Sequence, residues 1–179
     1  MKTVLTFLGL TFCLFTLAAK ASEPMPKPGP EMKKFEMFTG KWKLEEADAA
    51  SPFSLAGKAT FDTETRFVHD GFVVEEHGKG KLNGQPNTYT IVYYFDPAAG
   101  TYHSFYYDNT GVAIHADGTL TGNSWMAHWT QELKGKQYKG KGEAVLAPDG
   151  KKFTYEWTYS EDGVTWKPMF KGTATKVSK

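Results

Sequence analysis

The stretch from Gly71 to Tyr107, GFVVEEHGKGKLNGQPNTYTIVYYFDPAAGTYHSFYY, decides the fold of this chain. Two turn signals, Asn83-Gly84 and Asp96-Pro97, divide it into three runs that are rich in Tyr, Phe, Val and Thr. Asn-Gly between runs of this composition is a strong signal for a β-hairpin, because both residues accept the positive φ angles of a tight turn. The stretch therefore predicts three consecutive antiparallel strands.

The same turn signals continue in both directions from this stretch. Further signals lie at Asp70-Gly71, Asn109-Thr110-Gly111, Gly122-Asn123, Gly135, Asp149-Gly150 and Asp162-Gly163. Together they predict strands near residues 40–47, 57–68, 71–82, 88–96, 100–107, 111–120, 124–133, 137–147, 151–160 and 164–177. No helical pattern separates these runs, so parallel crossovers are excluded. We predict an all-β fold, an antiparallel meander closed into a barrel of about 8–10 strands.

The first residues have the pattern of a secretory signal peptide. Lys2 precedes an apolar run from Val4 to Leu17, and Ala19-Lys20-Ala21 supplies the small residues of a cleavage site. We therefore expect residues 1–21 to be removed and the protein to be exported, to the periplasm or the medium. The apolar run is too short to span a membrane, so we expect no transmembrane segment in the mature chain.

The mature chain of 158 residues (179 − 21) suits one domain with a hydrophobic core. Residues 22–30 contain four alternating prolines and predict an extended leader, which leaves residues 31–179 as a single β-barrel domain. Cys13 is the one cysteine of the chain and lies in the predicted signal peptide, so the mature protein has no thiol for a disulfide.

The charge of the chain is nearly balanced, with 21 basic and 20 acidic residues. Such a balance provides no broad positive field, so we do not expect nucleic acid as a partner. No catalytic signature of the nucleophile-elbow, phosphate-loop or zinc-protease type is present. The sequence predicts no cofactor and no metal, and it does not indicate the oligomeric state.

Residues 31–39 predict one short helix at the start of the domain. Pro30 suits the beginning of a helix and Gly40 suits its end. Its apolar residues Met32, Phe35 and Phe38 fall on one face. A helix this short does not fold alone, so we expect this face to dock across one end of the barrel.

Two places interrupt the regular strand pattern. Residues 47–56 are the least periodic part of the chain and contain Ser51-Pro52-Phe53, which indicates a loop or flap. Pro168 lies within the last predicted strand and indicates a bulge or a sheet edge, because proline cannot donate a ladder hydrogen bond.

Alternation within the strands predicts an inner face that is rich in large aromatic rings. The aromatic residues that we expect to line it include Tyr93, Trp129, Tyr155 and Trp157, and in the last strand Trp166 and Phe170 share a parity. Tyr and Trp carry polar atoms that need partners when they are buried. The pattern therefore suits a cavity with scattered polar groups, although the same rings could fill the barrel completely.

The histidines provide a second candidate polar site. His103 shares its parity with Phe105 and Tyr107, which indicates the inner face, and His115 lies on the next strand beyond the Asn109-Thr110-Gly111 turn. Such a spot could bind a ligand carboxylate, a haem iron or a metal. The simpler interpretation is that each histidine is exposed or hydrogen-bonded. His128 has the opposite parity to its neighbouring tryptophans and is expected outside.

The chain contains two adjacent carboxylate pairs, Glu45-Glu46 and Glu75-Glu76, which are candidates for acid–base chemistry. Neighbouring residues on a strand point to opposite faces, so neither pair can form a two-carboxylate glycosidase site. We expect one member of each pair in solvent and the other near a rim of the barrel.

Several motifs resemble those of known barrel families. Gly40-Lys41-Trp42, after a short helix and at the start of a meander, resembles the first-strand Gly-x-Trp of the calycin superfamily of lipocalin-like barrels. PGPEMKKFE at 28–36, YFDPAAGTY at 94–102 and WTYSEDGVTW at 157–166 resemble the bacterial family known as domain of unknown function fifteen-seventy-nine.

The resemblance implies a calycin-type barrel in which Trp42 packs at the closed end over the helix. In many such barrels an Arg of the last strand stacks on this Trp, whereas the last strand of this chain offers only Lys171 and Lys176. Lysine has no planar stacking surface, so we expect a looser cap.

Three functions remain open from the sequence. The first is an exported, non-enzymatic protein that binds a small apolar or amphipathic ligand inside the barrel, through Tyr93, His103, Phe105, Tyr107, His115, Trp129, Tyr155 and Trp157. The second is an enzyme on the same scaffold, an isomerase or a hydrolase that uses a cavity histidine. The third is a structural or partner-binding envelope protein that uses its leader or an open sheet edge.

Overall fold

A computed structural model describes residues 26–178 as one closed antiparallel barrel. Its strands are β1 (Gly40–Asp48), β2 (Gly57–Val68), β3 (Val73–Leu82), β4 (Gln85–Asp96), β5 (Thr101–Asp108), β6 (Ala113–Thr121), β7 (Ser124–Leu133), β8 (Lys136–Leu146), β9 (Lys152–Ser160) and β10 (Lys167–Ser178). Each strand pairs with the next, and β1 closes the barrel by pairing with β10. The predicted ten-stranded meander is confirmed. The predicted signal peptide, residues 1–21, lies outside the described residues.

The turns form where their local chemistry predicts them. At the β3–β4 hairpin, Asn83 and Gly84 have φ angles of 52° and 78°. This pair of positive φ angles gives a two-residue turn whose twist matches that of the flanking strands. Strand closure leaves no free sheet edge among residues 26–178, which removes the open-edge version of the partner-binding hypothesis.

One end of the barrel, called the plug end here, is covered by residues 30–38. They form a short α-helix, α1 (Pro30–Lys33), and a 3-10 helix (Lys34–Phe38), in place of the single helix over 31–39 that we predicted. Phe35 is 2% exposed and packs against Tyr93, Tyr102 and Trp125 with ring centroids 5.1–5.6 Å apart. The predicted docking of the apolar face across one end is therefore confirmed.

Trp42 joins this plug to the first strand. Its indole Nε1 donates a 2.8 Å hydrogen bond to the Phe38 carbonyl, so its one polar atom is satisfied although the side chain is buried. Lys176 Nζ lies 4.6 Å from the centroid of the Trp42 ring, which places a point charge where the resemblance leads one to expect an arginine.

The opposite end, called the loop end, lies below residues 49–56. Phe53 of this loop presents its ring edge to Trp129 and Tyr138, with centroids 5.2 and 5.3 Å apart. The predicted loop is thus held over the barrel by an aromatic anchor. Within residues 26–178, no helix is long and apolar enough to cross a membrane.

Glycines inside the strands make room for the large rings of the interior. A Cβ atom on Gly140 would lie 1.9 Å from the Trp129 ring, and one on Gly172 would lie 2.4 Å from the Tyr155 ring and its hydroxyl. The same relation holds for the pairs Gly78–Tyr89, Gly118–Trp125 and Gly142–Trp157. A ring can lie flat over the backbone of a neighbouring strand only where that strand has no side chain, so these glycines determine where the rings lie.

The last strand departs from the predicted pattern at its start. The β10 register shifts between Pro168 and Phe170, which confirms the predicted bulge. Because β10 begins at Lys167, the expected shared parity of Trp166 and Phe170 is wrong. Trp166 lies in the preceding loop, where Lys141 Nζ is 4.0 Å from its ring centroid, whereas Phe170 packs against the core.

Candidate functional site

Carboxyl and tyrosine side chains form a polar cluster inside the barrel, between the plug end and the loop end. Alternation on β1 and β3 turns Glu46 inward after Trp42 and Leu44, and Glu76 inward after Val74. The tyrosines of the cluster come from β4, β5 and β9 and are Tyr89, Tyr93, Tyr106 and Tyr155. We call these six residues, with Asp48, the interior polar cluster.

Glu76 occupies the deepest part of this cluster. Burial raises the pKa of its carboxyl, while hydrogen bonds with Tyr89 and Thr65 partly oppose that rise. Tyr89 Oη donates to Glu76 Oε1 at 2.7 Å. Burial together with the neighbouring Glu76 charge raises the pKa of both Tyr89 and Tyr93, so these phenols remain protonated hydrogen-bond donors.

Glu46 and Asp48 form the part of the cluster nearer the loop end. Burial, together with the neighbouring Asp48 carboxyl, raises the pKa of Glu46 from 4.5 to about 8, while the Tyr155 hydroxyl opposes the rise. Burial also raises the pKa of Asp48. Glu46 therefore holds a proton near neutral pH and can both donate and accept a hydrogen bond.

Several polar atoms of this region are buried without a hydrogen-bond partner of normal geometry. They are Tyr155 Oη, Asp48 Oδ1 and, on β7 towards the loop end, Gln131 Oε1. Buried polar groups are almost always satisfied, by protein, water or ligand, because leaving one unpaired costs about 1–3 kcal/mol. These three atoms are therefore polar groups of the interior that lack a hydrogen bond of normal geometry within residues 26–178.

Burial varies along the inward faces of β3 and β4. Val74 is fully buried, whereas Ile91, Tyr93 and Glu76 face inward and are only partly buried. The two interiors that the sequence left open, a cavity with scattered polar groups and a barrel filled by its rings, both stay predictions.

The two inward carboxyls correct an expectation from the sequence. Glu46 and Glu76 were expected near a rim, but both lie inside the barrel, while Glu45 is exposed on the outer face. The signal that could have found them is parity, because Glu46 continues the inward series of Trp42 and Leu44. Parity alone does not identify a buried carboxyl, because carboxylates are almost never fully buried without a partner.

Four of the predicted ligand-binding residues do face the interior: Tyr93, Trp129, Tyr155 and Trp157. Tyr93 and Tyr155 belong to the interior polar cluster. Trp129 is buried beneath Phe53 at the loop end, and Trp157 lies over Gly142 beside Phe170. Their role in ligand binding remains a prediction.

The other four, His103, Phe105, Tyr107 and His115, lie on the outer face, so the inner-face expectation for them is wrong. On β5 the residues that face inward are Tyr102, Ser104 and Tyr106, and the odd-numbered positions face out, with Phe105 41% and Tyr107 50% exposed. Aromatic residues occupy both faces of this strand, so ring content could not identify its inner face.

The outward rings are nevertheless brought together. His115 stacks on Phe105 at 4.5 Å, His103 stacks on Tyr94 at 4.9 Å, and the two histidine rings lie 5.3 Å apart. This confirms the predicted side-by-side placement of the two strands, since β5 pairs with β6 and Phe105 stands opposite His115.

None of the five histidines reaches the interior. His69, His77, His115 and His128 are exposed, as predicted for His128, and His103 is half-buried on the outer face. The enzyme hypothesis, as formulated from the sequence, therefore lacks its cavity histidine.

Fold and site together define a class: small closed meander barrels whose interior combines aromatic rings with buried carboxyls. The chain belongs to the family described as protein of unknown function (DUF1579), whose model matches residues 27–176. This confirms the family resemblance that the sequence motifs indicated.

Among solved structures, the crystal structure of Rv2717c from M. tuberculosis is similar with a TM-score of 0.59. The match covers 84% of this chain and 99% of that chain at 12% sequence identity, so it supports the barrel fold alone. No curated protein has a significant match to the chain.

Proposed function

We propose that this protein is an exported, non-enzymatic binder of a small amphipathic ligand, held inside a calycin-type barrel at the interior polar cluster. The observation that carries the proposal is the set of buried polar atoms that lack a hydrogen bond of normal geometry within the described residues: Tyr155 Oη, Asp48 Oδ1 and Gln131 Oε1. A ligand that supplies hydrogen bonds to these atoms offsets the cost of having buried them.

The chemistry of the cluster favours a ligand whose polar head donates hydrogen bonds, such as an amine or an alcohol. Glu46, Asp48 and Glu76 offer carboxyl oxygens, and the surrounding phenols offer aromatic faces that attract a cation. Within residues 26–178 every lysine and arginine is exposed except Lys176, which is half-buried beside Trp42 at the plug end. An anionic head therefore finds no countercharge in this cluster.

The aromatic walls suit the apolar part of the same ligand. Ile91, Trp157 and Phe170 face inward and are only partly buried, so an alkyl or aromatic body could cover their remaining surface. The loop of residues 49–56 is the natural entrance, since it closes the loop end through the single ring of Phe53.

Export and a periplasmic location are part of the same proposal. They are supported by the charged start, the apolar run and the small-residue site of residues 1–21. The calycin assignment is supported by Gly40 and Trp42, since Trp42 is buried over the plug as that resemblance implies.

The first experiment is native mass spectrometry of the protein purified gently from its own host. We expect an additional mass that disappears on denaturation. Binding is then measured by fluorescence titration with a dansyl-labelled long-chain amine and the carboxylic acid of equal length, where we expect the amine to bind at least about tenfold more tightly, a difference of about 1.4 kcal/mol.

Matched variants connect that binding to the cluster. Tyr155→Phe removes the orphaned hydroxyl and keeps the ring, whereas Tyr107→Phe removes an exposed hydroxyl from the outer face and serves as the control. Tyr155→Phe should weaken amine binding and Tyr107→Phe should not. Equal binding of the two probes, or equal effects of the two variants, would contradict the proposal.

A further inference from the structure

Three potential metal ligands converge on the outer face of the barrel, away from the interior polar cluster. His103 on β5 and His115 and Asp117 on β6 each direct one ligand atom to a common point. His103 Nδ1 lies 3.1 Å from His115 Nε2 and 2.8 Å from Asp117 Oδ1, and His115 Nε2 lies 3.6 Å from Asp117 Oδ1.

These three separations fit the edges of a tetrahedral coordination shell. With zinc–nitrogen and zinc–oxygen bonds of about 2.0–2.1 Å, two ligands at the tetrahedral angle lie about 3.3 Å apart. The observed separations lie on both sides of this value, so one ion at their centre requires only small side-chain adjustments.

The ligand atoms of His103, His115 and Asp117 cannot all be satisfied by hydrogen bonds to one another. Asp117 Oδ1 is buried and has no hydrogen bond of normal geometry, although His103 Nδ1 is 2.8 Å away. His103 Nδ1 also faces His115 Nε2, and a single proton on that nitrogen cannot point at both acceptors. A cation at the common point interacts with all three atoms at once.

The surrounding residues hold the two imidazoles in position. Tyr94 stacks on His103 and Phe105 stacks on His115, while the β5–β6 register places His103 directly opposite Asp117. The His103 side chain is only 15% exposed, so its orientation is constrained by packing. Preorganised ligands lose little conformational freedom when they bind an ion.

We propose that His103, His115 and Asp117 form a binding site for a divalent transition-metal ion, with zinc as the reference ion. Two imidazoles and one carboxylate match the preferences of zinc and of related transition metals, but not those of calcium or magnesium, which prefer oxygen ligands. A water would complete the coordination shell of an ion held by these three ligands, and His128 stands opposite Asp117 on the neighbouring strand β7. The site is independent of the proposed interior ligand.

The test is isothermal titration of untagged protein with zinc chloride, followed by His103→Ala, His115→Ala and Asp117→Asn. Wild type should bind one zinc ion, and each variant should bind at least about tenfold more weakly, because loss of even an outer-shell partner of a ligand costs about 10–100-fold in metal affinity. His77→Ala is the control, because His77 also lies exposed beside a carboxylate, Glu75, but belongs to β3. It should leave the affinity within twofold, and calcium chloride should give no binding heat.

Cobalt provides a second readout of the same site. Cobalt bound by two imidazoles and one carboxylate in tetrahedral geometry gives a visible absorption band, which His115→Gln should abolish. Circular dichroism confirms folding, and His115→Gln is the variant expected to fold in any case, since its side chain is 48% exposed. Absence of zinc binding by wild type, or equal zinc affinity in wild type and the three variants, would overturn the proposal.

Discussion

At the scale of single residues, Glu46 shows how strongly the interior acts on one carboxyl. Its neighbour Glu45 is exposed on the outer face, whereas the barrel interior raises the pKa of Glu46 to about 8. Desolvation is the main cause, since burial disfavours the ionised form, and the Asp48 carboxyl adds to it. One step along the strand therefore separates a solvated carboxylate from a group that keeps its proton at neutral pH.

This difference predicts a pH-dependent stability. The folded pKa of Glu46 lies above its ordinary value of 4.5, so the folded state binds a proton that the unfolded state releases. Its contribution to stability is complete below pH 4.5 and is lost as the pH rises to about 8. Glu46→Gln should flatten this decline and raise the free energy of unfolding at pH 8 by about 4 kcal/mol, since each unit of pKa shift corresponds to about 1.4 kcal/mol.

The measurement is urea denaturation at several pH values between 5 and 8. Glu45→Gln is the matched control and should leave the slope of stability against pH unchanged. If both variants have the slope of wild type, Glu46 does not hold the proton assigned to it.

At the scale of elements, the strands are shaped by rings that lie over glycines. Trp129 lies over Gly140 and Tyr155 lies over Gly172, each from the neighbouring strand. In a strand glycine normally weakens pairing, yet here it provides the space that a large ring needs. The ring of one strand and the glycine of its neighbour thus pack together, and this packing requires both residues.

Gly140→Ala should therefore destabilise the protein by about 1–3 kcal/mol, as overpacking of a core does. In a Trp129→Leu background the ring is gone, and the same substitution should cost less than half as much. A double-mutant cycle from chemical denaturation measures the coupling. Additive effects would show that the ring and the glycine do not act together.

The plug over residues 30–38 is held by its own aromatic contacts. Phe35→Ala removes a ring that is 2% exposed and should lower the free energy of unfolding by about 3–5 kcal/mol. Phe72→Ala, at a position that is 38% exposed, is the control and should cost under about 1 kcal/mol in the same thermal or urea melt. Equal costs would mean that the plug contributes no more than surface packing.

At the scale of the whole molecule, the pairing of β1 with β10 gives the first and last strands two hydrogen-bonded neighbours each, as every other strand has. Trp42 stands opposite Lys176 and Leu44 opposite Ala174, so both strands have hydrogen-bonded neighbours on each side. A closed sheet has no edge from which strands can separate one at a time. We therefore expect the barrel to unfold as one cooperative unit.

Native-state hydrogen exchange tests this expectation. Amides of β1 and β10 should exchange with the same free energy as those of β4, because all of them require global opening. Earlier exchange of β10 alone would show that closure of the barrel is weaker than its other strand pairs.

The sequence predicted the barrel well because its turns are encoded locally. Asn83-Gly84 specifies a hairpin with its own two φ angles, whatever the rest of the chain does. The outer face of β5 was not predictable in this way, because Phe105 and His115 find stacking partners outside the barrel, and only the register of two strands reveals them. Glu46 was missed since the stability of a buried carboxyl depends on neighbours from distant strands.

Trp42 on β1 and Lys176 on β10 are paired residues of neighbouring strands. The same barrel could therefore be built by a chain that begins and ends at a different turn. A linker could connect the end of β10 to the segment before Pro30, and new termini could be opened at the Asn83-Gly84 turn. A circular permutant of this design should form the same barrel, because the ladder of strand pairs does not depend on which turn is covalently open. Because the sheet is closed, the missing connection between β10 and β1 is only one of several connections that the barrel could lack.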